Sequence, residues 1–406
     1  MVVAPCEFKS LPQGRGRPEK STMKKVLLVG SSFSAAPIFF SLKKRGFHVT
    51  VCGALPQDPC HAYADASVFI DYSDREKLLA VVQKESFDYL VPTCNDYAYL
   101  SSAWVAEQFG FPGFDSFATT EILHTKKLFR DRTAQFDFPA PRRLTDASFQ
   151  QGFLTLPCLV KPVDSFSGRG IHKVTSWEGL APAIEEAKRA SRSGEFVVEE
   201  FVQGALHSHS AFVSNQKIHE DFFVDEFCTT YPYQVNCSNH PSRLSDKVRA
   251  GVRAAMSRLA AELGMVDGLL HTQFIAEGDN FWIIECMRRC PGDLYGSLVE
   301  RSTGVDYTSM FVQPFVNEPY MTPRPRDADR FMARHTISTA QPLVNFSFVP
   351  RISAEELEII QLKSSGEKLA AAPFDKLAIL LARFSSQEAM LEAAPLLASQ
   401  VSIQSL

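Results

Sequence analysis

The chain reads as an α/β protein that opens on a parallel sheet and continues into strand-rich regions. Three observations predict this. Apolar runs and helical patterns alternate over residues 24–110. From 156 to 230 the pattern becomes strand-rich, with one helix near Ala181–Ser191. Pro-marked links at Phe138-Pro-Ala-Pro141 and Thr322-Pro-Arg-Pro325 separate these regions from their neighbours.

Residues 1–22 hold several Pro and Gly, mixed charges and no periodicity, so they are expected to be disordered, with Met23 the candidate start of the fold. Lys25–Val29 is a short apolar run ending at Gly30, the first strand. Ser34 to Arg45 carries Ala35, Ile38, Phe39 and Leu42 at helical spacing, and Gly46 stops it. Strand-like runs recur at His48–Cys52, Ser67–Ile70 and Tyr89–Val91, with helical patterns at Asp74–Glu85 and Asp96–Phe109. The turn Gly30-Ser-Ser-Phe-Ser-Ala35 is not GxGxxG, so NAD binding is not predicted. Residues 117–145 read as helix and link. A long helix is expected over about Leu244 to Leu263, ended by Gly264. Residues 269–288 then read as two strands joined at Gly278–Asn280, and the last eighty or so residues as a small closing lobe.

With 406 residues, two or three domains can each bury a core. The 45% hydrophobic and 22% charged fractions are those of an ordinary soluble protein. A net charge of −4 gives no general attraction to nucleic acid or anionic membranes. No apolar run approaches the roughly 20 residues that cross a bilayer. Nine cysteines without a CxxC pair suggest neither a disulfide framework nor zinc, and a reducing cytoplasm is the expected location.

The most informative segment is Leu159-Val-Lys-Pro-Val-Asp-Ser-Phe-Ser-Gly-Arg-Gly-Ile171. It predicts a strand ending in a lysine fixed by proline, then a Ser/Gly loop whose amides can close over phosphate oxygens. A polar-turned β-hairpin is the plainer alternative. Lys126 lies on a predicted helix, where lysine is usually a solvated residue. Glu199-Glu-Phe-Val202 ends an apolar strand and could offer backbone groups to an adenine edge. In Phe281-Trp-Ile-Ile-Glu-Cys-Met-Arg-Arg-Cys-Pro-Gly-Asp293, strand alternation puts Glu285, Met287 and Arg289 on one face. A Glu holding Mg²⁺ and an Arg stabilising a negative transition state would use them, and a buried Glu–Arg pair is the structural alternative. His207 and His209 share a strand face without an acid or cysteine to complete a metal pattern. Cys286 and Cys290 are expected to be packing residues.

Taken together, these four segments resemble the ATP-grasp superfamily of carboxylate–amine (and carboxylate–thiol) ligases, which includes biotin carboxylase and the D-alanine ligases. The resemblance covers roughly residues 24–320 and, more loosely, the remainder. It implies a Rossmann-like parallel-sheet domain at 23–118 and an ATP-grasp domain at 119–320 with a small lid lobe at 153–203. An α+β closing lobe follows at 321–406. It implies ATP and Mg²⁺ as cofactors. Lys126 would bind phosphate, and Lys161 would reach phosphate and adenine. Ser165, Ser167, Gly168 and Gly170 would clamp the phosphates. Glu199, Glu200, Phe201 and Val202 would meet adenine, and His207 the ribose. Glu285 and Gln273 are the metal candidates, and Arg289 and Glu285 the catalytic ones. The chain departs from the family pattern in two places: Gln273 stands where an acid is expected, and Met287 replaces an Asn.

The implied reaction is activation of a carboxylate as an acyl phosphate, with ADP released, and its transfer to an amine. The partners are small-molecule acids and amines, not nucleic acid or membrane, and a homodimer is implied. A degenerate ATP-binding protein and an ATP-dependent carboxylase are the alternatives. The P-loop and protein-kinase patterns are absent from the sequence.

Overall fold

A computed structural model describes residues 23–144, 156–165, 168–320, 330–372 and 374–406. The expected leader at 1–22, Ser167 and the link at 322–325 lie outside these residues.

The first region is a parallel sheet of β1 (Lys25–Val29), β2 (His48–Cys52), β3 (Ala66–Val68) and β4 (Tyr89–Pro92), in the order β3-β2-β1-β4. Val26 to Val29 are wholly buried, as a strand covered on both faces requires. Helices α1 (Ala36–Lys44), α2 (Arg75–Lys84) and α3 (Asp96–Phe109) cover it. A 3₁₀ turn at Phe33–Ala35 delays α1 by two residues from its expected start. The carboxamide of Asn95 accepts the backbone N–H groups of Tyr97 and Ala98 to start α3, and Gly110, at φ 71°, ends it.

The segment read as one helix after residue 117 is two, α4 (Phe117–His124) and α5 (Lys126–Thr133), broken at Thr125. After an irregular stretch come β5 (Arg143–Leu144), β6 (Cys158–Pro162), β7 (His172–Val174), α6 (Leu180–Ala190) and β8 (Phe196–Glu200). These strands pair antiparallel in the order β5-β8-β6-β7. Ala183 and Ala187 of α6 close a small core with Val160, Val174 and Val198.

The remainder is dominated by an eight-stranded antiparallel sheet. Its members are β9 (Ala205–Ser214), β10 (Lys217–Phe227), β11 (Cys237–His240), β12 (Gly268–Glu277) and β13 (Asn280–Met287). They are joined by β14 (Phe331–Ile337), β16 (Glu356–Gln361) and β17 (Ala378–Phe384), while β15 (Phe346–Pro350) and β18 (Val401–Ser405) pair separately. The strand order is β13-β12-β9-β10-β11-β14-β17-β16, so residues 331–384 extend the central sheet. Between β11 and β12 lies α7 (Asp246–Glu262); α8 (Tyr295–Thr303) and α9 (Tyr307–Val312) follow β13. Val248, Val252, Met256 and Leu259 of α7 pack on one sheet face against Phe223, Phe274 and Ile283. On the other face, Tyr295 and Tyr307 join Phe212 and Phe222 in a core that runs on to Val26 and Leu28 of the first sheet.

Two local features set up the site. The β12–β13 hairpin turns at Gly278 (φ 59°), where a left-handed residue is needed. Further along, the register slips: Gln273 faces Glu285, but Phe274 faces Ile283. Ile284 is the extra residue of this bulge, and bulges re-aim neighbouring side chains.

Candidate active site

Lys161, fixed by Pro162 at the end of β6, is buried, and its ammonium donates to Glu199 Oε2 at 2.6 Å. Arg130 of α5 reaches the other oxygen, Nε to Oε1 at 2.9 Å. Burial alone would push the Glu199 carboxyl up. The charges of Arg130 and then Lys161 override it and lower the pKa to about 2. Burial pushes the Lys161 ammonium down, Glu199 opposes this, and the positive charges of Arg130 and Lys126 add to the lowering. Lys126 and Lys161 therefore share one electrostatic neighbourhood. Lys126 Nζ also donates to the Ser165 carbonyl at 2.8 Å, tying α5 to the loop after β6.

That loop is shaped by glycine. Ser165 Oγ donates to the Arg169 carbonyl at 2.6 Å, and Gly168 and Gly170 both take φ 73°. A Cβ on Gly168 would lie 2.6 Å from the Tyr233 carbonyl oxygen, so the loop touches the connection between β10 and β11. Ser167 lies outside the described residues.

The acid pair at the end of β8 divides its work. Glu199 turns inward to Lys161 and Arg130, whereas the Glu200 carboxylate accepts from both the backbone N–H and Nε of Arg142, each at 2.9 Å. The Lys173 ammonium stands 3.8 Å over the Phe201 ring, and Val202 is half-buried where the strand has ended. His207 is buried; its Nδ1 pairs with Asp225 Oδ1 at 2.8 Å and its ring stacks on Phe274, on the face that α7 covers.

Gln273 and Glu285 are cross-strand partners on the opposite face. Beside them stands Glu226 of β10, buried, accepting from Gln273 Nε2 at 2.6 Å. Burial raises the Glu226 carboxyl to about 7; Ser208, Arg334 and Gln273 act against this, and the charge of Glu285 adds to it. A cleft of about 310 Å³, lined by Leu206, Glu226, Phe227 and Arg243 among others, opens next to it. Met287 is buried opposite His271, whose imidazole is lowered to about 3 by burial and then by Arg289. The donors at this corner are two carboxylates and an amide oxygen, the hard ligands that Mg²⁺ accepts, whereas a thioether is not.

Arg130 links the two groups. Its Nη2 donates to the Ile284 carbonyl at 2.6 Å, at the bulge one residue before Glu285. The Lys161–Glu199 pair and the Glu285 hairpin are thus held by one guanidinium.

The structural alternative for Arg289, a pair with Glu285, is replaced by a different one. Its Nε meets Asp96 Oδ2 at 2.8 Å, and Asp96 Oδ1 lies 3.3 Å from His124. Burial is overridden by Arg289 and His124, and the Asp96 carboxyl is held far below the usual carboxylate range. The following loop places Asp293 (φ 55°) so that its N–H donates to Ser34 Oγ at 3.1 Å. Its carboxylate meets Lys376, and its carbonyl accepts from Arg334 at 3.0 Å. Sequence reasoning missed Arg130, Glu226, Asp96, Arg334 and Lys376 as site residues. The signal for Arg334 was a single formal charge inside an apolar strand, whereas Glu226 stands beside Asp225 in a strand that carries several charges.

Residues 154–295 match the ATP-grasp domain family. The formate-dependent phosphoribosylglycinamide formyltransferase of Synechococcus sp. is 28% identical over 270 residues, 63% of this chain and 67% of that protein. Its namesake from Methanocaldococcus jannaschii is 30% identical over 190 residues, 44% of this chain and 48% of that protein. The alignments thus span about half to two thirds of these relatives. Among solved structures, the L-amino acid ligase of Bacillus licheniformis superposes with a TM-score of 0.78 at 18% identity, covering 94% of this chain and 99% of that one. The phosphoribosylglycinamide synthetase of Anaerococcus prevotii gives 0.76 at 15% identity, covering 95% and 100%. At these identities the solved structures share the fold.

Proposed function

We propose, from the premise that this chain is an ATP-grasp protein with ATP and Mg²⁺ as its cofactors, that it activates a carboxylic acid and joins it to an amine. The acid attacks the γ-phosphorus of ATP, giving an acyl phosphate and ADP; the amine then attacks the acyl carbon and phosphate leaves. The observation that carries this reading is a chain of contacts: Lys126 bonds the Ser165 carbonyl, Lys161 bonds Glu199, and Arg130 joins Glu199 to the Ile284 carbonyl beside Glu285.

Phosphoryl transfer asks a protein mainly for positioning and charge neutralisation. Lys126 and Lys161, which act on each other electrostatically, would supply positive charge, and amides of the loop after β6 would supply N–H donors. Glu285 and Gln273 fit Mg²⁺, which when bound would neutralise phosphate oxygens. Arg289, oriented by Asp96, would face the oxyanion of the tetrahedral adduct.

The test is incubation with ATP, Mg²⁺ and hydroxylamine in the presence of pooled organic and amino acids. Formate belongs in the pool because of the formate-dependent relatives, and amino acids because of the L-amino acid ligase. The expected result is ADP release with a hydroxamate whose mass names the acid. Formation of AMP and pyrophosphate would overturn the scheme. A second reading, an ATP-binding protein without turnover, is favoured by Met287 and Gln273. It predicts thermal stabilisation by ATP with no ADP from any acid in the pool.

A further inference from the structure

We infer that Glu226 supplies the second carboxylate of the Mg²⁺ site, standing in for the acid that position 273 lacks. The inference rests on the ATP-grasp reading above and names a residue of the chain that the sequence did not single out.

Gln273 lies opposite Glu285 on one side and opposite Ser208 on the other, and Glu226 of the next strand bends back to Gln273 Nε2 at 2.6 Å. One sheet face therefore carries oxygen donors from β13 and β12, which are paired, and from β10, which reaches across β9. The Gln273 amide is oriented by this bond: its nitrogen end is committed to Glu226, which leaves its carbonyl oxygen directed elsewhere as a ligand. Among the described residues, no hydrogen bond or ion pair engages the Glu285 carboxylate. Two acids and an amide oxygen, with water and phosphate oxygens for the remaining positions, make a set that an octahedral Mg²⁺ takes.

A purely structural role for Glu226 would be as counter-ion to Arg334, and the geometry gives that guanidinium other partners. Its Nη1 donates to the Asp293 carbonyl at 3.0 Å and its Nη2 to Ser238 Oγ at 2.8 Å, while the Asp293 carboxylate stands 3.9 Å away. The direct hydrogen-bond partners of Glu226 are the neutral groups of Gln273 and Ser208. A carboxylate left 5% exposed, hydrogen-bonded to neutral groups alone while the Arg334 charge acts on it without a hydrogen bond, at the wall of an open cleft, is placed for a cation that arrives. The exchange is also chemically complete: an amide where the family carries an acid, and an acid one hydrogen bond away.

The test measures Mn²⁺ binding to the full chain by the electron paramagnetic resonance signal of free Mn²⁺, without nucleotide. Glu226→Gln is nearly isosteric and keeps a hydrogen-bonding partner for Gln273. It should weaken Mn²⁺ binding by about 10–100-fold, the range seen when ligand support is lost. Gln273→Glu added to Glu226→Gln exchanges the acid and the amide across the same bond and should restore most of that affinity. Unchanged Mn²⁺ affinity in Glu226→Gln overturns the inference, as does a loss that the exchange leaves unrepaired. A melting temperature lowered in Glu226→Gln with Mn²⁺ affinity intact assigns Glu226 to structure and overturns it equally. ADP binding, followed separately by calorimetry, distinguishes the two levels. Wild-type protein that binds ADP but no Mn²⁺ refutes this inference alone, and protein that binds neither refutes the functional reading as well.

Discussion

The small lobe and the central sheet treat a buried carboxylate in opposite ways. Glu199 sits between Lys161 and Arg130, two cations for one anion, and its acidity is strongly increased. Glu226 is hydrogen-bonded to an amide and a hydroxyl, and burial, aided by a second carboxylate, decreases its acidity despite the more distant charge of Arg334. The first group carries surplus positive charge before any ligand arrives, which suits phosphate. The second sets two carboxylates beside each other, which suits a metal cation. Arg130 spans the two, bonding Glu199 in one and the Ile284 carbonyl beside Glu285 in the other. Burial is the same in both places, so the sign of the surrounding charge decides what each one can hold.

The comparison breaks first, and most heavily, at Glu199. Glu199→Ala leaves two cations buried without their anion, and breaking such a pair typically costs about 3–5 kcal/mol. Urea unfolding should show a loss of that order. A loss below about 1 kcal/mol would mean that Arg130 and Lys161 find other partners and that the small lobe is not held by this carboxylate.

Next comes Arg289, whose charge acts on Glu285. Arg289→Ala should lower turnover by about 10²–10³-fold, roughly 3–4 kcal/mol of barrier, while nucleotide affinity stays near wild type. Product formation at the wild-type rate would remove Arg289 from the reaction and leave its pairing with Asp96 as a purely architectural contact between the first sheet and the hairpin.

How far these two regions could be read from the sequence differs for a physical reason. The strands at 25–29 and 48–52 and the helix at 96–109 appear at the residues expected. Continuous apolar runs, an Asn cap and a glycine stop are local signals. Lys161 and Ser165 were singled out by a short local motif, and Lys126 by the family resemblance. The partners that give those residues their properties were not. Arg130 and Glu199 are 69 residues apart, and Glu226 and Gln273 are 47 apart. Only the strand order brings them together, and no periodicity encodes it. The same holds for β14, whose pairing with β11 extends the central sheet into a segment that reads locally as a separate lobe. The helix break at Thr125 and the bulge at Ile284 were also missed, because neither carries Gly or Pro.

A smaller effect sharpens the comparison with a third carboxylate, on the sheet face covered by α7. Asp221 accepts from His209 Nε2 at 2.9 Å and from Arg253 Nε at 2.6 Å. Burial alone would raise its carboxyl, but these two partners lower it to about 2. It resembles Glu199 in sign, yet Arg253 is half exposed and screened, so Asp221→Asn should cost roughly 1–2 kcal/mol near neutral pH. The folded value lies below the ordinary 3.8, so this stability is fully present above about pH 4 and is lost as pH falls toward 2. Unfolding curves collected across that interval should be steeper in pH for wild type than for Asp221→Asn. Parallel curves would show that the pair contributes nothing to the acid limb.

The smallest effect separates support from function. Ser245 caps α7, its Oγ accepting the Val248 N–H at 3.3 Å, and α7 packs under Phe223, Phe274 and Ile283 on the face opposite Glu226 and Gln273. Ser245→Ala should cost about 1 kcal/mol, a typical cap loss. Because α7 buries several apolar side chains besides, the helix should remain docked and the strands above it in register. Mn²⁺ affinity should therefore be unchanged while the unfolding midpoint drops. If Mn²⁺ affinity fell along with stability, the oxygen donors of β10, β12 and β13 would be aligned by the packing of α7 beneath the sheet, and the contrast with the small lobe would no longer be one of local charge alone.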